Sequence, residues 1–179
     1  MMYELPMTIA VGGREYPIRS DFRPILDILQ ALVDPELTQE EKAYVVLQIF
    51  YPEDIPEDMG EALKECFRFI GLGQLETDNN GPKLMDWGQD FPYIVAPINR
   101  VMGGEIRSMP YVHWWTFIGA YYEIGDCTFA QIVRIRDMKA RGKKLDKEDA
   151  RWYKEHRDIV DIKTHYTEAE QDLLKKWGV

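Results

Sequence analysis

The distribution of apolar residues predicts a mainly helical chain that begins with a short β-hairpin. Residues 7–18 read MTIAVGGREYPI, two short runs that favour extended structure on either side of Gly12 and Gly13. A Gly-Gly pair tolerates the positive φ angles of a two-residue hairpin turn. The segments that follow repeat apolar residues with the period of an α-helix. We therefore expect a mainly α fold of about seven helices with a small N-terminal β-hairpin.

Capping signals predict the limits of the first three helices. The first helix starts at Ser20-Asp21 and ends near residue 35. Thr38 is followed three residues later by Glu41, which is the capping-box arrangement, and the second helix runs from there to about residue 50. The third helix is predicted over residues 56–71, with acids in its first turn. Gly71 is expected to be its left-handed cap.

The second half of the chain is predicted to be helical throughout. A polar loop over residues 72–83 precedes it, and four segments of helical period follow. Residues 163–179 form a tail in which Thr167 and Glu170 signal the start of a short helix. We expect residues 1–162 to form one mainly helical domain, because a chain of 179 residues suits a single core.

Composition and charge narrow the class of protein. Apolar residues make up 45% of the chain and charged residues 30%, which is typical of a folded globular protein. The formal net charge of −9 makes nucleic acid an improbable partner. Cys66 and Cys127 lie far apart and are expected to be free thiols. No apolar run approaches the roughly 20 residues that span a bilayer, so no membrane partner is expected.

The most unusual stretch is PYVHWWTFIGAYYEIGDCTF, residues 110–129. On a helix its aromatic residues form two neighbouring stripes, which is wider than one core contact requires. The stretch either lies wholly in the core, or packs in the core on one side and against another chain on the other; a small-molecule pocket is the third interpretation. We take four of its residues as candidates for partner binding: Trp114, Trp115, Tyr121 and Tyr122.

A search for catalytic or metal-binding patterns finds none that is specific. His113 has no acid or second histidine at ligand spacing, so we expect a hydrogen-bonded structural histidine. Ser20 and Ser108 lack the setting of a nucleophile, and the glycine pairs complete no phosphate-binding loop. We therefore predict no catalytic, cofactor-binding or metal-binding residues, no cofactor, and a protein that is not an enzyme.

A basic stretch, RIRDMKARGKKLDK at residues 134–147, contrasts with the acidic composition of the whole chain. It is either a solvated helix end capped by Gly142, or a docking patch for an acidic partner or for acidic copies of the same protein. Its candidate partner-binding residues are Arg134, Arg136, Lys139, Arg141, Lys143 and Lys144.

Several strings resemble the bacteriophage gene-product-fifteen family. They are DW-x-x-D at residues 86–90, Y-x-HWWTF-x-x-A-Y-x-E-I-G-D-x-TF at 111–129, V-x-I-R at 133–136 and GKKLDK at 142–147. The resemblance extends over about residues 5–162. Family members are typically encoded just upstream of the tail tape-measure gene in long-tailed phages and prophages of Gram-positive bacteria.

The resemblance implies a role in tail morphogenesis. The expected function is that of a non-enzymatic tail assembly chaperone. It would bind the tape-measure protein or other tail proteins in the cytoplasm of the bacterial host. It is also expected to form a homo-oligomer. The alternative is a minor structural component retained in the virion tail. The family has no established catalytic residues, so the resemblance assigns none to this sequence.

Overall fold

The computed structural model describes residues 4–74, 81–164 and 167. These residues fall into two compact units that interleave along the chain. The first unit contains the described residues up to 74, together with residues 113–115, 164 and 167. The second unit contains residues 81–112 and 116–163. The prediction of a single domain over residues 1–162 stays a prediction.

The first unit begins with an antiparallel β-hairpin, as predicted. Strand β1 (Thr8–Val11) pairs with strand β2 (Arg14–Pro17), and Val11 lies opposite Arg14 next to the turn. Gly12 and Gly13 occupy this turn with φ angles of 57° and 78°, which residues with a side chain rarely adopt. The Gly-Gly pair therefore sets the register of the hairpin.

Three helices complete the first unit: α1 (Phe22–Val33), α2 (Gln39–Phe50) and α3 (Met59–Ile70). The predicted capping box of α2 is present, with the Thr38 side chain accepting from the Glu41 N–H and the Glu41 carboxylate accepting from the Thr38 N–H. Helix α3 starts later than predicted, because the Asp58 carboxylate accepts from the Glu61 N–H and so acts as its N-cap. The apolar faces of the three helices supply fully buried residues, among them Ile25, Ile28, Val46, Leu47, Phe50, Ala62 and Cys66.

The second unit contains most of α5 (Trp114–Tyr122) and four other helices: α4 (Trp87–Met102), α6 (Thr128–Ala140), α7 (Lys147–Glu155) and α8 (Arg157–Val160). Helix α4 includes both Pro92 and Pro97 and ends at Gly103, whose φ is 71°. Ile132, Ile135 and Val160 form a buried cluster against which Tyr93 and Trp152 pack. This cluster joins residues of α6 and α8 to the half-buried aromatics of α4 and α7.

The described residues thus form eight helices and one hairpin, which confirms the mainly α class. The number exceeds the predicted seven because the last predicted helix is divided at His156 into α7 and α8. The expected helix of the tail lies outside the described residues, as does the middle of the predicted polar loop. No helix in the described part of the chain is long and apolar enough to cross a membrane.

Candidate functional site

His113 lies immediately before α5 and has a hydrogen bond at each ring nitrogen. Nδ1 accepts from the backbone N–H of Trp115 at 3.0 Å, so Nε2 carries the proton and donates it to the Pro6 carbonyl at 3.1 Å. Only 2% of the residue is exposed, and this burial lowers the pKa of the imidazole, outweighing the opposite effect of the hydrogen bond to Pro6. His113 is a hydrogen-bonded structural histidine, as the sequence analysis predicted, and its hydrogen bonds and burial favour the neutral ring.

The two tryptophans that follow His113 both bind the carboxyl end of α3. Trp114 Nε1 donates to the Ile70 carbonyl at 2.9 Å, and Trp115 Nε1 donates to the Phe69 carbonyl at 2.8 Å. The last carbonyls of a helix lack the usual partner within the helix, and the Trp114 indole supplies one to the Ile70 carbonyl. The Trp115 indole adds a second bond to the Phe69 carbonyl, which also accepts from the Leu72 N–H. Trp114 is buried and Trp115 is half-buried. Trp114 is therefore a structural residue and does not belong to an exposed partner surface.

The turn after α3 contains a leucine in the left-handed region. Gly71, predicted to be the left-handed cap, has a φ of −81° and is not left-handed; Leu72 and Gly73 are, at 59° and 89°. The Gly73 N–H bonds back to the Arg68 carbonyl at 2.8 Å, which closes the helix end one residue further along the chain than predicted. A side chain in this region costs on the order of 1 kcal/mol. The side chain of Leu72 is exposed, so its burial does little to offset this cost.

Helix α3 presents an apolar face to solvent. Met59, Leu63 and Phe67 follow one another at a spacing of four residues, and we call them the apolar stripe. Met59 is 46% exposed and Phe67 is 38% exposed, while Leu63 is half-buried. The buried face of α3 lies directly beside this stripe. The sequence analysis missed this stripe, although the four-residue spacing was visible, because it looked for surplus apolar surface only in residues 110–129.

The two tyrosines at the end of α5 have different environments. Tyr121 packs against Trp87 and Phe129, and its hydroxyl donates to the Met85 sulfur. Burial, with a smaller effect from Tyr122, raises the pKa of its phenol to about 12. Tyr122 is 69% exposed. Of the four aromatic candidates, Tyr122 is the one that faces solvent most fully.

Much of the basic stretch is paired within the second unit. All five N–H groups of Arg136 are used: two bind the Asp90 carboxylate at 2.6 and 2.9 Å, and the others bind the carbonyls of Leu84, Ile159 and Val160. Arg136 is 6% exposed and Asp90 is fully buried. Arg136 is therefore a core residue that joins α6 to α4 and to the end of α8, and it is not part of the surface.

The three other arginine and lysine candidates on α6 and its end are also paired, but at the surface. Arg134 binds Asp149, and this hydrogen-bonded ion pair lowers the pKa of that carboxyl. Lys139 binds Asp161 at 2.5 Å, and Arg141 binds Asp137 at 2.7 Å. Gly142 adopts the left-handed cap conformation that was predicted for it, with a φ of 65°. These ion pairs reduce the positive charge that this part of the chain offers to a partner.

Lysines and arginines that form no ion pair with another described residue lie further along the chain. Lys143 and Lys144 are exposed in the loop before α7, and Lys147, Arg151 and Lys154 are exposed along that helix. We call the last three the basic row, because the spacings of four and three residues place them on one face of α7. The sequence analysis ended its basic stretch at residue 147 and so missed two of the three.

A groove of about 400 Å³ on the first unit is lined in part by acidic residues, in contrast to the basic row. Val11, Tyr16 and Pro56 form its apolar lining, and Glu57 and Asp58 contribute its acidic part. Glu53 and Asp54 are exposed just before it in the chain. Arg14 also lines the groove, with its guanidinium 4.9 Å from the centre of the Tyr16 ring. We call this the acidic groove.

The thiols and acidic residues provide no further site. Cys66 is buried, and burial raises the pKa of its thiol well above the ordinary value. Cys127 accepts from the Ala130 N–H and so acts as the N-cap of α6. Within the described residues, no group of three or more histidine, cysteine, aspartate or glutamate side chains could hold a metal ion.

The fold and surfaces define a mainly helical protein with an N-terminal hairpin, whose exposed features in the described residues are an apolar stripe, a basic row and an acidic groove. The chain belongs to the Bacteriophage Gp15 protein family, whose family model matches residues 1–162. It is thus a bacteriophage protein. Comparisons with curated proteins and with solved structures gave no significant match.

Proposed function

We propose that this bacteriophage protein is a non-enzymatic tail assembly chaperone that binds the tape-measure protein or another tail protein. In this proposal the chaperone acts in the cytoplasm of the bacterial host and keeps its client soluble until tail subunits assemble around it. Membership of the Bacteriophage Gp15 protein family supports a role in the phage life cycle. The observation that carries the finer proposal is the apolar stripe on α3.

The apolar stripe has the geometry of a helix-binding surface. Met59, Leu63 and Phe67 lie at a four-residue spacing on one side of a helix of twelve residues. Such a row fits between the apolar anchors of a second amphipathic helix.

The expected strength of this contact suits a reversible partner. Met59 and Phe67 are each less than half exposed, so burying the exposed part of either would contribute about 1 kcal/mol, against 1.5–3 kcal/mol for a fully exposed side chain. The cost of association removes several kcal/mol from any such gain. The stripe alone therefore does not hold a client, and it contributes one part of a larger contact. Losing that part should weaken a complex that a chaperone must in any case be able to release.

Co-expression with the tape-measure protein of the same phage tests the proposal. The expected result is a larger soluble fraction of the tape-measure protein and its co-purification with this chain. The double variant Met59→Ser, Phe67→Ser should lose both effects. Val101→Ser is the matched control, because Val101 is exposed to a similar degree, at 41%, but lies on α4.

Two outcomes would contradict the proposal. The first is a tape-measure protein that is no more soluble with the wild-type chain than without it. The second is equal loss of client binding in the stripe variant and in the Val101→Ser control. Stoichiometric amounts of this chain in purified virions, measured by mass spectrometry, would instead favour the structural alternative, a minor component of the tail.

A further inference from the structure

The basic row on α7 is an exposed set of cations that the fold does not use. Lys147, Arg151 and Lys154 lie on one face of the helix, and no ion pair of the described residues includes them. In contrast, Arg134, Lys139 and Arg141, earlier in the same basic region, each bind an aspartate. Glu148 and Glu155 lie three and four residues from Arg151, so acids border the basic row on one side only.

The acidic groove is suited to receive a lysine or arginine side chain. Its lining combines an aromatic ring and a proline with the side chains of Glu57 and Asp58. A long basic side chain can use both, since its aliphatic stem packs on the apolar surface while its charged end stays in a polar environment beside the carboxylates. Arg14 of the same chain lies over the Tyr16 ring at 4.9 Å and is 3.7 Å from the Asp54 carboxylate. A basic side chain of a second copy would therefore share Asp54 with Arg14 and find Glu53 and Glu57 beside it.

We propose that the basic row of one copy of this protein docks at the acidic groove of a second copy. Lys147, Arg151 and Lys154 would face Glu53, Asp54 and Glu57 of the neighbouring chain. The inference does not depend on the client proposed above, because it concerns only two copies of the same protein.

The distribution of charge favours a second copy over nucleic acid as the occupant. Residues 34–65 hold ten acids and only two basic residues, which accounts for most of the net charge of −9. A phosphate backbone approaching the basic row would therefore meet a strongly acidic molecule. A second copy instead presents its acidic groove to the basic row, and attraction between such patches guides association.

Sedimentation velocity over a range of concentrations and salt tests this contact. Wild-type protein should associate at low ionic strength and dissociate as salt is added, because exposed charges are screened. The triple variant Lys147→Glu, Arg151→Glu, Lys154→Glu should remain monomeric. The triple variant Glu53→Lys, Asp54→Lys, Glu57→Lys should also remain monomeric by itself; it leaves Asp58 in place because Asp58 caps α3.

Mixing the two variants is the decisive experiment. In the mixture, the intact basic row of the groove variant can face the intact acidic groove of the row variant. The two mutated patches also have opposite charges, so the mixture should associate with about the salt dependence of the wild type. Circular dichroism of each variant checks that its helices are intact. The proposal is overturned by monomeric wild-type protein at low salt, by association that either triple variant retains, or by a mixture that does not associate. Salt-sensitive DNA binding by a monomer would assign the basic row to nucleic acid instead.

Discussion

The backbone N–H of Trp115 donates a hydrogen bond of 3.0 Å to Nδ1 of His113. A ring nitrogen that accepts an N–H cannot carry a proton itself, so the proton of the neutral imidazole must be on Nε2. Nε2 in turn bonds to the Pro6 carbonyl. Protonating His113 would place two N–H groups against each other, and the folded chain therefore holds this ring neutral.

The first prediction concerns the pH dependence of stability. The pKa of His113 is lowered below its ordinary value of 6.5, chiefly by burial. The unfolded chain therefore takes up a proton at a higher pH than the folded chain does. The contribution of His113 is fully present above pH 6.5 and declines as the pH falls through 6.5 towards the folded pKa.

Urea unfolding of the wild type and of His113→Asn at several pH values measures this contribution. Asparagine retains an acceptor for the Trp115 N–H but does not titrate. The difference in unfolding free energy between the two proteins should be constant above pH 6.5 and should shrink at lower pH. A difference that is independent of pH would show that His113 titrates equally in both states.

The second prediction compares two arginines on α6. Arg136→Met leaves the fully buried carboxylate of Asp90 without its ion-pair partner, which should cost about 3–5 kcal/mol. Arg134→Met removes an ion pair whose arginine is 51% exposed but whose Asp149 carboxylate is only 7% exposed, and should cost less, about 1–3 kcal/mol. Denaturant unfolding measures both. Equal losses would contradict the structural role given to Arg136.

The third prediction concerns the glycine that ends α3. A Cβ atom at residue 71 would lie 2.3 Å from the Gln74 carbonyl oxygen, so Gly71→Ala must displace the backbone of this turn. We expect a loss of about 1–3 kcal/mol. Gly119→Ala is the control, because nothing lies within 4 Å of a Cβ there, and it should stabilise α5 by about 0.5–1 kcal/mol. Thermal unfolding followed by circular dichroism distinguishes the two.

The fourth prediction separates the two tryptophans. Trp114→Phe removes the indole bond to the Ile70 carbonyl and opens space in the core, which should cost about 2–4 kcal/mol. Trp115→Phe should cost about 1 kcal/mol, because Trp115 is only half-buried and the Phe69 carbonyl keeps its bond from the Leu72 N–H. Urea unfolding followed by circular dichroism gives both values. A larger loss for Trp115→Phe would contradict the geometry of this junction.

Local signals were sufficient to predict many of the elements. The hairpin follows from two adjacent glycines, and the start of α2 follows from Thr38 and Glu41, because the interacting groups are within a few residues of each other. The start of α3 was placed at Pro56 because a proline followed by acids is typical of a first helical turn. Only the structure shows that Asp58 caps the helix.

Long-range pairing could not be predicted from the sequence. Asp90 and Arg136 are 46 residues apart. The helical period places Arg136 on the apolar face of α6, but no local pattern indicates that its partner is Asp90. The same limit applies to the aromatic stretch. Its width suggested an exposed side, but the indole groups of both tryptophans are used on carbonyls of α3, more than 40 residues earlier. The candidate surface therefore had to be sought on α3 and α7.

The left-handed conformation of Leu72 gives this chain a position where stability and surface chemistry conflict. Glycine has no side chain to strain at a φ of 59°, so a selection for heat resistance alone would be expected to enrich glycine at this position. The same change would erase an exposed apolar group just beyond the end of α3. Sequences selected for phage production and sequences selected for thermal tolerance should therefore diverge at residue 72.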